Sequence, residues 1–162
     1  MDPAEFRNAL ACFASGVTVV TASGDERGPV GITVSSFCSV SLSPPLVLVC
    51  LDNGTGAMNR FSQVDAPFAV NVLAENQISV STDFAGPQTY DLHGHDHRIG
   101  ETGAPILDGV AAALECCTHG IHDGGDHRIL VGRVVDLYVD RTKSPLIYFH
   151  SGYHAIGQPR SG

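Results

Sequence analysis

Apolar positions along this chain recur in alternation or in short unbroken runs, and that pattern predicts strands far more often than helices. Val17–Ala22 is β-branched and strand-like. After the turn-forming segment Ser23-Gly24-Asp25-Glu26-Arg27-Gly28, Val30–Val34 returns as a second strand. Leu46–Leu51 is a continuous apolar run between Pro44-Pro45 and Asp52-Asn53-Gly54, as expected of a buried strand. Phe68–Leu73, Ala111–Thr118, His127–Val139 and Leu146–Phe149 follow, with a turn at Asp123-Gly124-Gly125. Helical signals are confined to three places. Asp2 can N-cap, Pro3 suits the first helical position, and Glu5 stands where a capping box wants an acid. Phe6, Leu10 and Phe13 then share one face, and Gly16 ends the helix. Thr55–Gln63 and Gln77–Phe84 read as short helices, and residues 85–109 as a long Gly/Pro/His-rich loop.

About six or seven strands with few helices argue against a doubly wound sheet. An antiparallel barrel closes its edges and accepts such short connections. A length of 162 residues fits one domain with a sizeable core, spanning 1–162. Charged residues make up only 16% of the chain against 43% hydrophobic, and mean hydropathy is +0.10. So few charges predict that some apolar surface is hidden in a homodimer.

Nine Lys and Arg stand against seventeen Asp and Glu, a net charge of −8 with no basic stripe. Nucleic acid and anionic membrane are poor partners for such a surface. No apolar run is long enough to span a bilayer, and Met1-Asp2-Pro3-Ala4-Glu5 lacks the basic start of a signal peptide. Cys12, Cys38, Cys50, Cys116 and Cys117 form no Cys-x-x-Cys pair and are odd in number. They read as reduced, buried thiols of a cytoplasmic protein.

Several segments carry candidate chemistry. Thr33-Val34-Ser35-Ser36 packs hydroxyls and backbone N–H groups into one bend, which suits the polar edge of a ligand or its phosphate; an ordinary Ser/Thr turn fits the same residues. Cys50-Leu51-Asp52-Asn53-Gly54-Thr55-Gly56 joins a strand to a helix and suits a phosphate, although Asp52 adds negative charge; a helix cap at Asn53 or Thr55 is the plain alternative. Gly125-Asp126-His127-Arg128 places an imidazole at the mouth of a long strand, where it can contact a ligand or simply bond a nearby carbonyl. Tyr148 and Tyr153 are candidates for the opposite wall, or for packing alone. His93-Gly94-His95-Asp96-His97, with His119, His122, Asp123 and Asp126 further on, is rich in metal-ligand types. It lacks metalloprotease spacing and a helix to aim the rings, so a solvated loop without metal is expected. There is no Gly-x-Gly-x-x-Gly turn, no Gly-x-Ser-x-Gly elbow and no Walker loop.

In order and spacing, four segments resemble the short flavin reductases that supply two-component monooxygenases. They are Gly31–Phe37, Pro44–Cys50, Gly125-Asp126-His127 and Pro145–Phe149. Gly16–Thr21, Phe68–Leu73, Phe84-Ala85 and Leu114-Glu115-Cys116 extend the likeness from Phe6 to about Ile156. The resemblance implies a mainly β fold, a split antiparallel β-barrel with a few short helices, usually homodimeric. It implies non-covalent FMN or FAD and hydride transfer from NADH, or possibly NADPH. Reduced flavin then diffuses to a flavin-dependent monooxygenase. By the same resemblance Thr33, Val34, Ser35 and Ser36 cradle the isoalloxazine, and Cys50, Leu51, Asp52, Thr55 and Gly56 line the ribityl and phosphate. Phe84 and Ala85 lie near phosphate or adenine, and His127 and Tyr148 hold the nicotinamide, with Tyr153 on the same wall. The family usually carries a basic residue after Phe84-Ala85, where this chain has Tyr90 or Asp91; Arg98 is the candidate replacement. Two other readings remain open at this point: a split-barrel protein that retains its flavin, and a metal-dependent enzyme built on the His-rich loop.

Overall fold

A computed structural model describes residues 1–25, 28–86 and 91–157. The first elements are α1 (Pro3–Leu10), β1 (Ser15–Gly16), β2 (Thr18–Asp25), β3 (Gly28–Val34), β4 (Cys38–Leu42) and β5 (Pro45–Asp52). α2 (Met58–Phe61), β6 (Pro67–Val72), α3 (Ile78–Asp83), β7 (His97–Ile99) and β8 (Pro105–Leu107) follow. β9 (Ala112–Asp123), β10 (His127–Val139), β11 (Ile147–Phe149) and β12 (Gly152–His154) complete the chain. Seven strands form one antiparallel sheet in the order β3-β2-β6-β9-β10-β5-β4. β1, β11 and β12 make a small second sheet, and β7 pairs with β8. The protein is thus mainly β, a split antiparallel barrel with three short helices among the described residues, as the strand pattern predicts.

Alternation fills the interior. On β5, Val47, Val49 and Leu51 are buried while Leu46, Leu48 and Cys50 on the other face are half-buried. The inward residues join Val20, Val34, Phe61, Phe68, Val70 and Leu130 in one core. A second core gathers Val19, Leu73, Phe84, Leu92, Ile106, Leu107 and Leu146. Where the sheet splits, Ser36 stitches β5 to the segment after β3: its Oγ accepts from Cys50 N at 2.8 Å and donates to Cys50 O at 3.1 Å. One side chain there does the work of a ladder pair.

The segment 85–109, expected to be a loop, contains β7 and β8 among its described residues. Buried polar groups hold it. Thr102 donates through its backbone N and its hydroxyl to Glu115 Oε2, both at 2.8 Å. Asn71 Oδ1 accepts from Leu107 N at 2.9 Å, and the Thr21 and Ser23 hydroxyls donate to the carbonyls of Pro105 and Gly103. Glu115, buried among strands, is therefore satisfied by a turn distant in sequence.

Two expectations are corrected. Only Cys116 is a buried thiol: Cys12 and Cys38 are exposed, and Cys50 and Cys117 half-buried. Cys12 follows a surface helix and Cys38 lies on an edge strand, so apolar neighbours in sequence did not imply cover. Burial, with repulsion from Cys117 and Glu115, pushes the Cys116 thiol up to about 12. The first helix ends at Leu10 rather than Gly16, which lies on β1, so Phe13 falls outside it, and Phe6, Leu10 and Phe13 are all exposed.

Candidate active site

Four elements converge on one cleft of about 470 Å³. The end of β3 and the following bend supply Thr33, Val34, Ser35 and Ser36. The end of β5 and its turn supply Cys50, Leu51, Asp52 and Thr55. Phe84 and Ala85 come from the end of α3, and His127 from the first position of β10. The register explains the meeting, since His127 stands opposite Asp52 in the β5–β10 ladder.

The rear wall is fixed by hydrogen bonds. Thr33 N donates to Phe84 O at 3.0 Å, and the Thr33 hydroxyl donates to Ser81 O at 2.8 Å. Phe84 is 1% exposed, and a Cβ on Gly31 would come within 3.0 Å of its ring. Glycine at 31 is thus what lets the ring seat against β3. His95 packs on the other side of Phe84 with centroids 4.7 Å apart, and its Nε2 lies 3.5 Å from Asp83.

The front wall is a tethered turn. Asp52 Oδ1 accepts from Gly54 N at 2.6 Å, so much of its charge is used within the turn. Asn53 joins this turn to the β9–β10 connection: its N donates to Asp126 O and its Nδ2 to Gly125 O, both at 2.9 Å. Asp126 Oδ1 lies 2.7 Å from His127 Nδ1, and this hydrogen bond, reinforced by the imidazole's charge, holds the Asp126 carboxyl below the usual carboxylate range. In the neutral ring, an Nδ1–H held by that carboxylate leaves Nε2 as an acceptor.

One atom stands out. Thr55 Oγ1 is the buried side-chain polar atom without a hydrogen-bond partner among the described residues, and Thr55 lines the cleft. An unsatisfied buried hydroxyl costs about 1–3 kcal/mol, which a bound acceptor or donor would recover.

The cleft gathers Thr33, Val34, Ser35, Ser36, Cys50, Leu51, Asp52, Thr55, Phe84, Ala85 and His127, as the sequence grouped them. It does not include Gly56, Arg98, Tyr148 or Tyr153. Arg98 lies on β7, its guanidinium 5.9 Å from the Tyr138 ring centre. Tyr148 and Tyr153 pack edge to face, 5.5 Å apart, and the Tyr153 hydroxyl bonds Ser81 Oγ at 2.9 Å. Tyr153 thus braces the helix turn behind Thr33. Tyr90 lies outside the described residues. Asp91 bridges to Val30 and accepts from His93 N at 2.9 Å. Ile32, Gly54 and Gly86 also line the cleft. Gly54 was legible from the Asp-Asn-Gly turn, whereas Ile32 and Gly86 carry no polar signal. No Lys or Arg lines the cleft among the described residues. Nor does any group of three or more His, Cys, Asp or Glu there form a metal-holding cluster. His97 Nδ1 is instead 2.9 Å from His95 O. Among the described residues no helix is long and apolar enough to cross a membrane.

Residues 10–157 match the flavin reductase like domain. The chain is 38% identical to a flavin-dependent monooxygenase reductase subunit, HsaB, of Mycobacterium tuberculosis, over 96% of this chain and 83% of that protein. It is 43% identical to a probable flavin reductase of Rhizobium meliloti, covering 99% of this chain but 48% of that longer protein. Among solved structures, Streptomyces globisporus NADH:FAD oxidoreductase SgcE6, in complex with NAD and FAD fragments, superposes with a TM-score of 0.90 at 35% identity, over 96% of this chain and 93% of that one. The chain belongs to the flavin reductase like family.

The cleft fits a flavin on its own chemistry. Its volume lies within the range of small-molecule sites. Ile32, Val34, Leu51 and Phe84 offer apolar surface to a ring system, and Ser35 and Thr55 offer hydroxyls.

Proposed function

We propose that the protein, as a single flavin reductase unit, is an NAD(P)H:flavin oxidoreductase. It would take FMN or FAD and NADH as substrates and release reduced flavin to a separate flavin-dependent monooxygenase. The observation that carries this reading is the unpartnered, buried Thr55 hydroxyl in a cleft whose rim carries His127. When bound, flavin supplies N5 as hydride acceptor, and the chain's part is to bind and orient. The apolar walls hold the ring flat and keep water from it. His127 Nε2, free because Asp126 holds Nδ1, accepts a hydrogen bond from the nicotinamide carboxamide and sets that ring against the flavin. Hydride transfer between the two rings needs no acid–base pair from the protein. With no cation among the described lining residues, phosphate would be held by neutral donors, which suits a flavin that exchanges rather than one that stays.

Thr55→Val tests the cleft assignment. Replacing the hydroxyl by a methyl of like shape is expected to stabilise the flavin-free protein by about 1 kcal/mol. The same change is expected to weaken FMN binding about tenfold, read by fluorescence quenching. Unchanged FMN affinity contradicts the assignment.

A homodimer completes the proposal. Leu46, Leu48 and Cys50 on β5 stand beside Arg133, Val131 and Ile129 on β10, a half-buried and largely apolar sheet face facing away from the core. Cys38, exposed and opposite Leu48, extends it at the β4 edge. Such a face on an open sheet is covered most simply by its own copy. Sedimentation is expected to give twice the chain mass, and Leu48→Asp to give the monomer. A monomeric native protein contradicts the assignment.

A further inference from the structure

The histidine at the cleft rim is carried by a turn that has little internal restraint. β9 and β10 are joined through Gly124, Gly125 and Asp126, and Gly125 sits at φ +83°, a conformation that suits glycine. Gly124 N donates to His127 O at 3.0 Å, and Gly125 N donates to the exposed Asp123 carboxylate at 3.3 Å. The Asp126 side chain is 91% exposed, and its bond to His127 Nδ1 at 2.7 Å is what gives it a direction. Two adjacent glycines beside an exposed carboxylate leave that direction poorly fixed from within the turn.

The restraint comes from the other strand. β5 ends in a closed turn, in which Thr55 N donates to Asp52 O at 3.0 Å and Gly54 N to Asp52 Oδ1 at 2.6 Å. Asn53 stands at the tip of this turn and grips the β9–β10 turn at successive carbonyls. Its N donates to Asp126 O and its Nδ2 to Gly125 O, both at 2.9 Å. Those carbonyls belong to the peptide units on either side of the Asp126 Cα. The pair therefore fixes both planes, and with them the direction in which the Asp126 side chain leaves the chain. Any residue other than proline at 53 can make the first bond; the second needs a side-chain donor of this length. Asn53 itself is exposed and does not line the cleft.

We infer that Asn53 is a positioning residue for the reductase reaction: by holding the Gly125–Asp126 peptide it keeps the Asp126 carboxylate on His127 Nδ1, and so keeps Nε2 presented to the nicotinamide. This rests on the reductase reading of the cleft. It acts on the nicotinamide and not on the flavin, because the bonds that close the 52–54 turn on the flavin side do not involve the Asn53 side chain.

The test pairs kinetics with the state of the ring. At saturating FMN, Asn53→Ala is expected to raise KM for NADH about three- to tenfold with kcat within about twofold, the size of one lost hydrogen bond. Reduced nicotinamide mononucleotide, which carries the same ring and no adenosine, is expected to show the same rise. Asn53→Asp, of the same shape but with no donor, is expected to behave as Asn53→Ala does. Asn53→Gln, which keeps the donor on a longer arm, is expected to recover part of the loss. In nitrogen NMR spectra of the flavin-free native protein, the neutral His127 ring is expected in the Nδ1–H form, and in Asn53→Ala in a mixture of both forms. An FMN dissociation constant within about twofold of native reports that fold and cleft survive. Unchanged KM for both donors, a rise confined to NADH, an unaltered His127 tautomer, or FMN affinity that falls in step with KM overturns the assignment, while turnover by the native protein leaves the reductase reading standing. No oxidation of either donor by the native protein with FMN present overturns the reductase reading, and this inference with it.

Discussion

Truncating Phe84 to alanine is expected to cost about 3–5 kcal/mol of folding stability and to weaken flavin binding with it. The ring is 1% exposed and sits between β3, where Gly31 makes room for it, and His95. Its backbone carbonyl accepts from Thr33 N, so the same residue anchors the cleft's rear wall. A cavity there removes packing from the core that includes Leu73, Leu92 and Ile106 and loosens the bend that carries Ser35 and Ser36. Urea unfolding reads the first effect, and FMN titration well below the unfolding midpoint reads the second. Phe84→Leu, which fills most of the space, is expected to recover more than half of the stability. A loss under 1 kcal/mol in the alanine variant contradicts Phe84's place in the core.

The second large effect falls on His127. His127→Ala is expected to lower kcat/KM for NADH by about 10–100-fold while leaving the flavin dissociation constant within twofold. The motive is its position: at the cleft rim, opposite Asp52, with Nδ1 held by Asp126 and the preceding turn tied down by Asn53. The side chain is about half exposed, so its removal creates no core cavity and stability is expected to change little. Unchanged turnover, or a loss traceable wholly to weaker flavin binding, contradicts the role.

Much of this was written in the chain. Short apolar and β-branched runs between turn residues located most of the large sheet's strands, because strands covered on both faces need apolar residues at nearly every position. The turn residues Asp52-Asn53-Gly54 and Gly125-Asp126 located the ends of β5 and the start of β10, and hence the two sides of the cleft. What stayed hidden shares one cause, dependence on partners remote in sequence. β8 is a three-residue strand held by Asn71, Thr21 and the Glu115–Thr102 pair, none of which leaves a mark in the local pattern. β4 alternates Cys, Ser, Val, Ser and Leu at an exposed edge and resembles a linker. Arg98 stands near the missing basic residue in sequence, yet the β7–β8 pairing carries it to Tyr138 instead.

The measurement that bears most directly on the central claim is NADH oxidation by the purified, flavin-free protein at increasing concentrations of free FMN or FAD. The account predicts little oxidation without flavin and a rate that rises and saturates as flavin is added. Oxidation indifferent to added flavin, or none at any flavin concentration, would contradict it.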